Sequence, residues 1–273
     1  MTREGPLPNF LIIGAMRSGT TALTRYLDAH PDVYMAPEKE VHFFDRHYDR
    51  GLGWYRSRFA TANGQASIGE ATQTYMFLPE VMPVIARDLP DARLVAILRN
   101  PIDRAYSHYW MNRSMDTETR PPGVALAEAL DPTRTEPPKF PYLDRGRYLT
   151  QLQRVCDHYP RERLHVLLFE DLVSRPEETF STLCGFLGID TSVRPENLGD
   201  PVNRHIEYRS LRLRNLSKRM PKPIANLIGK VNGRIGSYPP MEPELRRRLA
   251  DAFKEDNVRL GEWLGRDLEV WRD

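Results

Sequence analysis

Phe10-Leu-Ile-Ile-Gly14-Ala-Met-Arg17-Ser18-Gly19-Thr20-Thr21-Ala-Leu23-Thr-Arg-Tyr26-Leu27 is the stretch on which the reading of this chain turns. Phe10 to Ala15 is a short apolar run ended by a glycine turn, the pattern of a strand covered on both faces. Leu23, Tyr26 and Leu27 then recur at helical spacing until His30-Pro31 stops them. The order is strand, glycine loop, helix, and it returns along the chain. Arg93 to Leu98 precedes a helix from about Pro101. Leu164 to Phe169 precedes a helix opened near Pro176, with Glu177 and Glu178 in its first turn, and Ser67 to Ala71 offers another strand. Strands alternating with helices predict an α/β fold: a P-loop-like parallel β-sheet flanked by helices on both faces.

The rest of the composition agrees with one globular domain over residues 1–273. Of 273 residues 40% are apolar, and 39 Lys and Arg against 37 Asp and Glu leave a net charge of +2. That balance is too close to neutral for a protein that coats nucleic acid or an anionic membrane, so any basic function is local. The longest apolar run, Phe10 to Met16, falls far short of the roughly 18 residues a membrane span requires. Cys156 and Cys184 are too few for a disulfide framework or a four-cysteine zinc site, and the opening MTREGPLPNF lacks the plan of a signal peptide. The expected location is the cytoplasm. Two stretches depart from the alternating scheme. Residues 115–145 read as a variable surface excursion with a short helical signal at Val124 to Leu130. Residues 204–240 form a basic C-terminal segment, in which Arg204 to Arg234 holds nine Lys or Arg and one acid, Glu207. Glu242 to Leu264 reads as one or two amphipathic helices.

The glycine loop carries the chemistry. Where a buried strand hands over to a helix, backbone N–H groups and the positive end of the helix converge on one point, which suits a phosphate-like anion. The spacing resembles G-x-x-x-x-G-K-[ST], but Thr20 stands at the lysine position and the cation comes earlier, at Arg17. A second anion element follows the strand Arg93 to Leu98. Arg99 lies at its carboxyl end, where ligands of open parallel sheets bind, and Ser107 lies two helical turns further on. A forked guanidinium contact and a hydroxyl suit a second anionic group.

Together these elements resemble sulfotransferases that use 3'-phosphoadenosine-5'-phosphosulfate (PAPS). Arg17, Ser18, Gly19, Thr20 and Thr21 fall on the family's 5'-phosphosulfate loop, and Arg99 and Ser107 on its 3'-phosphate element. Glu38-Lys-Glu40-Val-His42-Phe-Phe-Asp45, followed by Gly51-Leu-Gly-Trp-Tyr55, is similar to heparan sulfate 3-O-sulfotransferases and more loosely to the N-sulfotransferases. The similarity runs in order from about Asn9 to Ile189. Many relatives carry lysine where Arg17 stands, and the 3-O-sulfotransferases carry one where Ala71 stands.

The resemblance implies transfer of a sulfuryl group from PAPS to a hydroxyl, or less readily an amine, of a small-molecule or glycan acceptor. Adenosine 3',5'-bisphosphate is left behind, and no metal is expected to be needed. Glu40 matches the family's catalytic glutamate, and a glutamate carboxylate is ionised at neutral pH. On an extended segment, His42 would share its face. Gly233-Arg234 before Tyr238-Pro-Pro loosely resembles the family's loop over the nucleotide, which makes Arg234 a candidate contact. Two other readings stand beside this one. A P-loop ATP-dependent kinase would use Asp171, after Phe169-Glu170, to hold a metal, and a non-catalytic nucleotide-binding protein would need only the loop.

Overall fold

The computed structural model describes residues 4–131, 139–200, 220 and 238–271, and the backbone of residues 205–208 and 233–236. The chain gathers into two compact units, Met1–Asp200 with Glu242–Asp273, and Pro201–Met241.

In the first unit β1 (Phe10–Gly14), β2 (Val33–Met35), β3 (Ser67–Ala71), β4 (Arg93–Leu98) and β5 (Leu164–Leu168) form a sheet in the order β2-β3-β1-β4-β5. All four pairings are parallel. The helices are α1 (Thr20–Asp28), α2 (Phe43–Arg46), α3 (Gly51–Ser57), α4 (Val81–Asp88), α5 (Pro101–Ser114), α6 (Pro122–Ala127), α7 (Tyr148–Cys156), α8 (Phe169–Ser174), α9 (Pro176–Leu187) and α10 (Pro243–Leu264).

Successive strand side chains point to opposite faces, yet every residue of β1 and Leu94 to Leu98 of β4 are buried. Both faces of the sheet are therefore covered, as the α/β reading requires. On one face Leu11, Ile13, Leu94, Ala96 and Leu98 join a core with Leu152 and Val155 of α7 and Leu260 of α10. Elsewhere Tyr26 of α1 meets Phe180 of α9 edge-on, ring centroids 6.5 Å apart, and Arg93 Nη1 donates to Leu187 O at 3.0 Å.

Some elements differ from the sequence reading. The three-residue β2 is too short to leave a periodic signal and begins at Val33, with only Asp32 between it and His30-Pro31. The strand expected to reach Phe169 stops at Leu168, and Phe169 opens α8. Glu242 to Leu264 is one continuous helix, with Pro243 in its first turn and Gly265 in left-handed conformation past its end. The helical signal at Val124 to Leu130 corresponds to α6 and a following 3₁₀ turn, Glu128–Leu130.

The second unit contains an antiparallel pair, β6 (His205–Tyr208) and β7 (Gly233–Gly236), with Glu207 opposite Arg234. The side chain of Arg234 and all of Arg209, Arg212 and Arg214 lie outside the described residues.

Gly69 leaves no room for a side chain, because a Cβ there would lie 2.4 Å from the ring of the fully buried Phe10. Gly69→Ala is expected to destabilise the protein by about 1–3 kcal/mol through overpacking. Urea unfolding checks this; a change within error would mean that the ring moves aside at no cost.

Candidate active site

The carboxyl ends of β1, β3 and β4 deliver the site residues to one edge of the sheet. After β1, Ala15 N–H donates to Ile97 O at 2.8 Å, which ties the start of the loop to β4. Gly19 caps α1 with φ 97°, and a Cβ at this position would lie 2.7 Å from the Phe169 ring. Ala22 and Leu23 N–H both donate to Gly19 O. The earlier N–H groups of the first turn have no intrahelical acceptor and point out of the helix end. Ser18 is fully buried beside Tyr148, yet its hydroxyl makes no hydrogen bond of good geometry among the described residues. Thr20 is buried and Thr21 half-buried in the first turn. A cradle without a Cβ, an orphaned buried hydroxyl and a helix start together fit the phosphosulfate end of PAPS.

Arg17 joins the two anion elements. It adopts a left-handed backbone, φ 69°, and its Nε donates to Ser107 Oγ at 3.0 Å. Arg99 Nη1 in turn donates to Arg17 O at 3.4 Å, and its guanidinium lies 4.9 Å from the Phe169 ring centroid. Asn100 fixes Arg99 at the strand end. Its Oδ1 accepts from Ile102 N–H at 2.9 Å as the cap of α5, with Pro101 next in line. Its own N–H donates to Glu170 Oε1 at 2.9 Å, and Tyr148 Oη donates to Arg99 O at 2.8 Å.

Arg104, which sequence reasoning passed over, sits one turn before Ser107 and is fully buried. Its Nη2 donates to Tyr142 O, while Nε and Nη1 have no partner among the described residues. Burial lowers its pKa to about 10, and the charges of Arg99 and Arg17 push the same way. His108, on the next turn, is held down to about 2 by burial and then by Arg104, Arg145 and Arg17. The arginines make a positive field at the edge, the electrostatic setting that a multiply charged nucleotide needs, beside a neutral His108.

Glu40 and His42 meet, though not as the extended segment expected from sequence. Both have left-handed backbones, φ 61° and 53°, and His42 Nε2 lies 3.2 Å from Glu40 Oε2. Gln73 Nε2 donates to the other oxygen, Oε1, at 2.6 Å. Asp45 holds the other ring nitrogen of His42. Its Oδ2 lies 2.9 Å from His42 Nδ1 and accepts from Thr74 Oγ1 at 2.7 Å, which fixes the ring and turns Nε2 toward Glu40. Phe43 and Phe44 are core residues: Phe43 stacks on Tyr55 with centroids 4.3 Å apart. Only four non-glycine residues in the described chain have left-handed backbones, and Arg17, Glu40 and His42 are three of them. Such strain, about 1–3 kcal/mol each, persists only where surrounding contacts over-determine it.

Residues 7–262 match the sulfotransferase domain family. The chain belongs to that family. The chain is 31% identical over 269 residues to human heparan sulfate glucosamine 3-O-sulfotransferase 6, covering 96% of this chain and 73% of the relative. It spans about two thirds of the length of the related 3-O-sulfotransferases. Among solved structures, a sulfotransferase from Alicyclobacillus acidocaldarius superposes with a TM-score of 0.76 at 29% identity, over 98% of this chain and 100% of the other. The fold extends to mouse sulfotransferase SULT7A1, solved with PAP, at a TM-score of 0.53 and 15% identity over 98% and 88% of the two chains.

Four residues of the candidate site escaped the sequence reading: Arg104, Gln73, Asp45 as a histidine partner, and Glu70. Two had a local signal. Arg104 precedes Ser107 by three on a helix, which puts both on one side, and Asp45 follows His42 by three. Gln73 and Glu70 had none, because a strand pairing brings them in. The kinase reading loses its aspartate: Asp171 accepts from Arg175 Nη2 at 3.0 Å and Arg266 Nη1 at 2.5 Å.

Glu70 is the fully buried carboxyl at the end of β3, its pKa raised from 4.5 to about 7 by burial, against the pull of hydrogen bonds from Thr72, Tyr75 and Tyr55. Below pH 4.5 the group is protonated both folded and unfolded, and its contribution to stability is fully present. As pH rises through 7 the folded protein must ionise a buried carboxyl, and stability on the order of 3 kcal/mol is lost. The protein should therefore lose stability relative to Glu70→Gln between pH 5 and 8, measured by urea unfolding at each pH. His108, depressed rather than raised, contributes stability that is lost as pH falls below 6.5, but it cancels between the two proteins. Parallel stability curves would refute the raised pKa.

Proposed function

We propose that this protein transfers a sulfuryl group from PAPS to a hydroxyl of a glycan or small molecule, with Glu40 as the general base. The observation that carries this reading is the Glu40 carboxylate held on both oxygens, by Gln73 and His42, at the same sheet edge as the Arg17–Ser107–Arg99 cluster.

When bound, PAPS supplies the activated sulfuryl group and departs as adenosine 3',5'-bisphosphate. Arg17, Ser18 and the N–H groups at the start of α1 would hold its phosphosulfate end; Arg99 and Ser107 would hold its 3'-phosphate. Glu40 takes the proton of the acceptor hydroxyl. Gln73 fixes one carboxylate oxygen, and His42, set by Asp45, fixes the other, so the base stays aimed without reorganising. Arg17 and the loop N–H groups meet negative charge developing on the leaving oxygen. The similarity to heparan sulfate 3-O-sulfotransferases supports a glycan hydroxyl as the acceptor.

Glu40→Gln keeps the shape and removes the base, so turnover should fall about 10²- to 10⁴-fold with bisphosphate affinity nearly unchanged. Release of adenosine 3',5'-bisphosphate in the presence of heparan sulfate or of a phenol checks this; near-normal turnover would place the base elsewhere, with His42 next in line.

Adenosine 3',5'-bisphosphate should raise the melting temperature well above the shift given by ATP at equal concentration, and Arg99→Ala should erase most of the difference. Equal shifts would favour the kinase reading. Because Arg17 and backbone donors supply the charge, turnover is expected to persist in EDTA; complete loss restored by magnesium would contradict the assignment.

A further inference from the structure

Glu70 takes no part in the chemistry above, yet it sits at the centre of the hydrogen bonds beneath the base. Its carboxylate receives three hydroxyl protons: Thr72 Oγ1 at 2.6 Å, Tyr75 Oη at 2.9 Å and Tyr55 Oη at 3.2 Å. A hydroxyl that gives its one proton to a carboxylate keeps its lone pairs for another donor. Two of the three use them on the turn that carries the catalytic pair. His42 N–H donates to Thr72 Oγ1 and Phe44 N–H to Tyr75 Oη, both at 3.3 Å. His42 caps α2, and Phe44 lies in its first turn, where backbone N–H groups have no intrahelical acceptor. The hydroxyls fill that lack.

We propose that Glu70 is a positioning residue: through the Thr72 and Tyr75 hydroxyls its carboxylate pins the backbone of His42 and Phe44, and so holds the left-handed turn that presents Glu40 and His42 to the acceptor. The inference rests on Glu40 being the base. A buried carboxylate that served stability alone is a poor choice, since an apolar residue of like volume stabilises as well or better. Here the carboxylate does what no apolar residue does, which is to orient two hydroxyl protons away from two amides. A glutamine does only part of it. Its NH₂ group opposes incoming O–H donors, so at least one hydroxyl must reverse and turn its proton toward the amide it had accepted from.

The test compares amide hydrogen exchange across residues 40–46 at pH 8, where Glu70 is mostly ionised, in the wild type and in Glu70→Gln, read residue by residue by NMR. Exchange at His42 and Phe44 should rise about tenfold, the loss of roughly one net hydrogen bond, while amides of β1 and β4 stay protected. With heparan sulfate as the acceptor probe, kcat should fall while KM for PAPS holds, and in a Glu40→Gln background the same change should cost less than about twofold, since there is no base left to position. Unchanged exchange at His42 and Phe44, or an equal rise across β1 and β4, would overturn the proposal. Should Glu70→Gln fail to fold, Thr72→Val and Tyr75→Phe cut one link each, and exchange should rise at His42 in the first and at Phe44 in the second. If the wild type releases no bisphosphate, the reading of Glu40 as base fails, and the exchange data alone decide whether Glu70 holds the turn.

Discussion

Parallel pairing of β1 with β3 on one side and β4 on the other is the constraint on which the site depends. Parallel strands end together, so the pairing Ile12 with Ala71 and Gly14 with Ala96 delivers the glycine loop, the Glu70–Thr74 segment and Arg99 to one edge. Nothing in the local sequence of Glu40 places it near Gln73; β3 does, by carrying residue 73 past the end of the sheet. The chain then turns back over β1, where Thr72 N–H donates to Ile12 O at 3.0 Å and Met76 N–H to Ile13 O at 2.9 Å. A register slip of one residue would send Glu70 to the opposite face and strand the turn that it underlies.

Upon that edge the molecule concentrates cost. Left-handed backbones at Arg17, Glu40 and His42, a buried carboxyl with its pKa raised to about 7 and a fully buried arginine with two nitrogens unpartnered among the described residues lie within one region. Each works against stability, and the sheet beneath, with β1 wholly buried, offsets them by simple burial of apolar surface. Departure from local preference at a site and strict obedience to it in the core is the division expected of a protein whose fold serves a reaction.

This division also explains what the sequence disclosed. The strands, the glycine loop and the helices after Pro101 and Pro176 follow from period and punctuation, which are local, and all were legible. So were Arg17, Arg99, Ser107, Glu40 and His42 as residues of interest. The extended geometry assigned to Glu40 and His42 was not, because a left-handed turn at non-glycine residues is imposed by contacts with Gln73, Thr72 and Asp45 rather than by propensity. β2 escaped because three residues carry no period, and the end of β5 at Leu168 because Phe169 is apolar whether it continues a strand or turns to cover Gly19.

Arginine rather than lysine at position 17 acquires a physical meaning in this setting. A guanidinium presents five N–H donors in a planar fork, whereas an ammonium is a compact point charge. With Nε committed to Ser107 Oγ at 3.0 Å, the plane of the fork is set by α5, and the remaining nitrogens are carried along with it. Arg99 holds the carbonyl of the same residue, so side chain and main chain of Arg17 are both referred to the element that follows β4. The loop after β1 and the element after β4 are therefore tied together through side chain and main chain alike, and two anionic groups bound by them would be held at a separation that the sheet sets. An ammonium reaching for Ser107 could meet the hydroxyl from any direction; the planar guanidinium meets it with its orientation set.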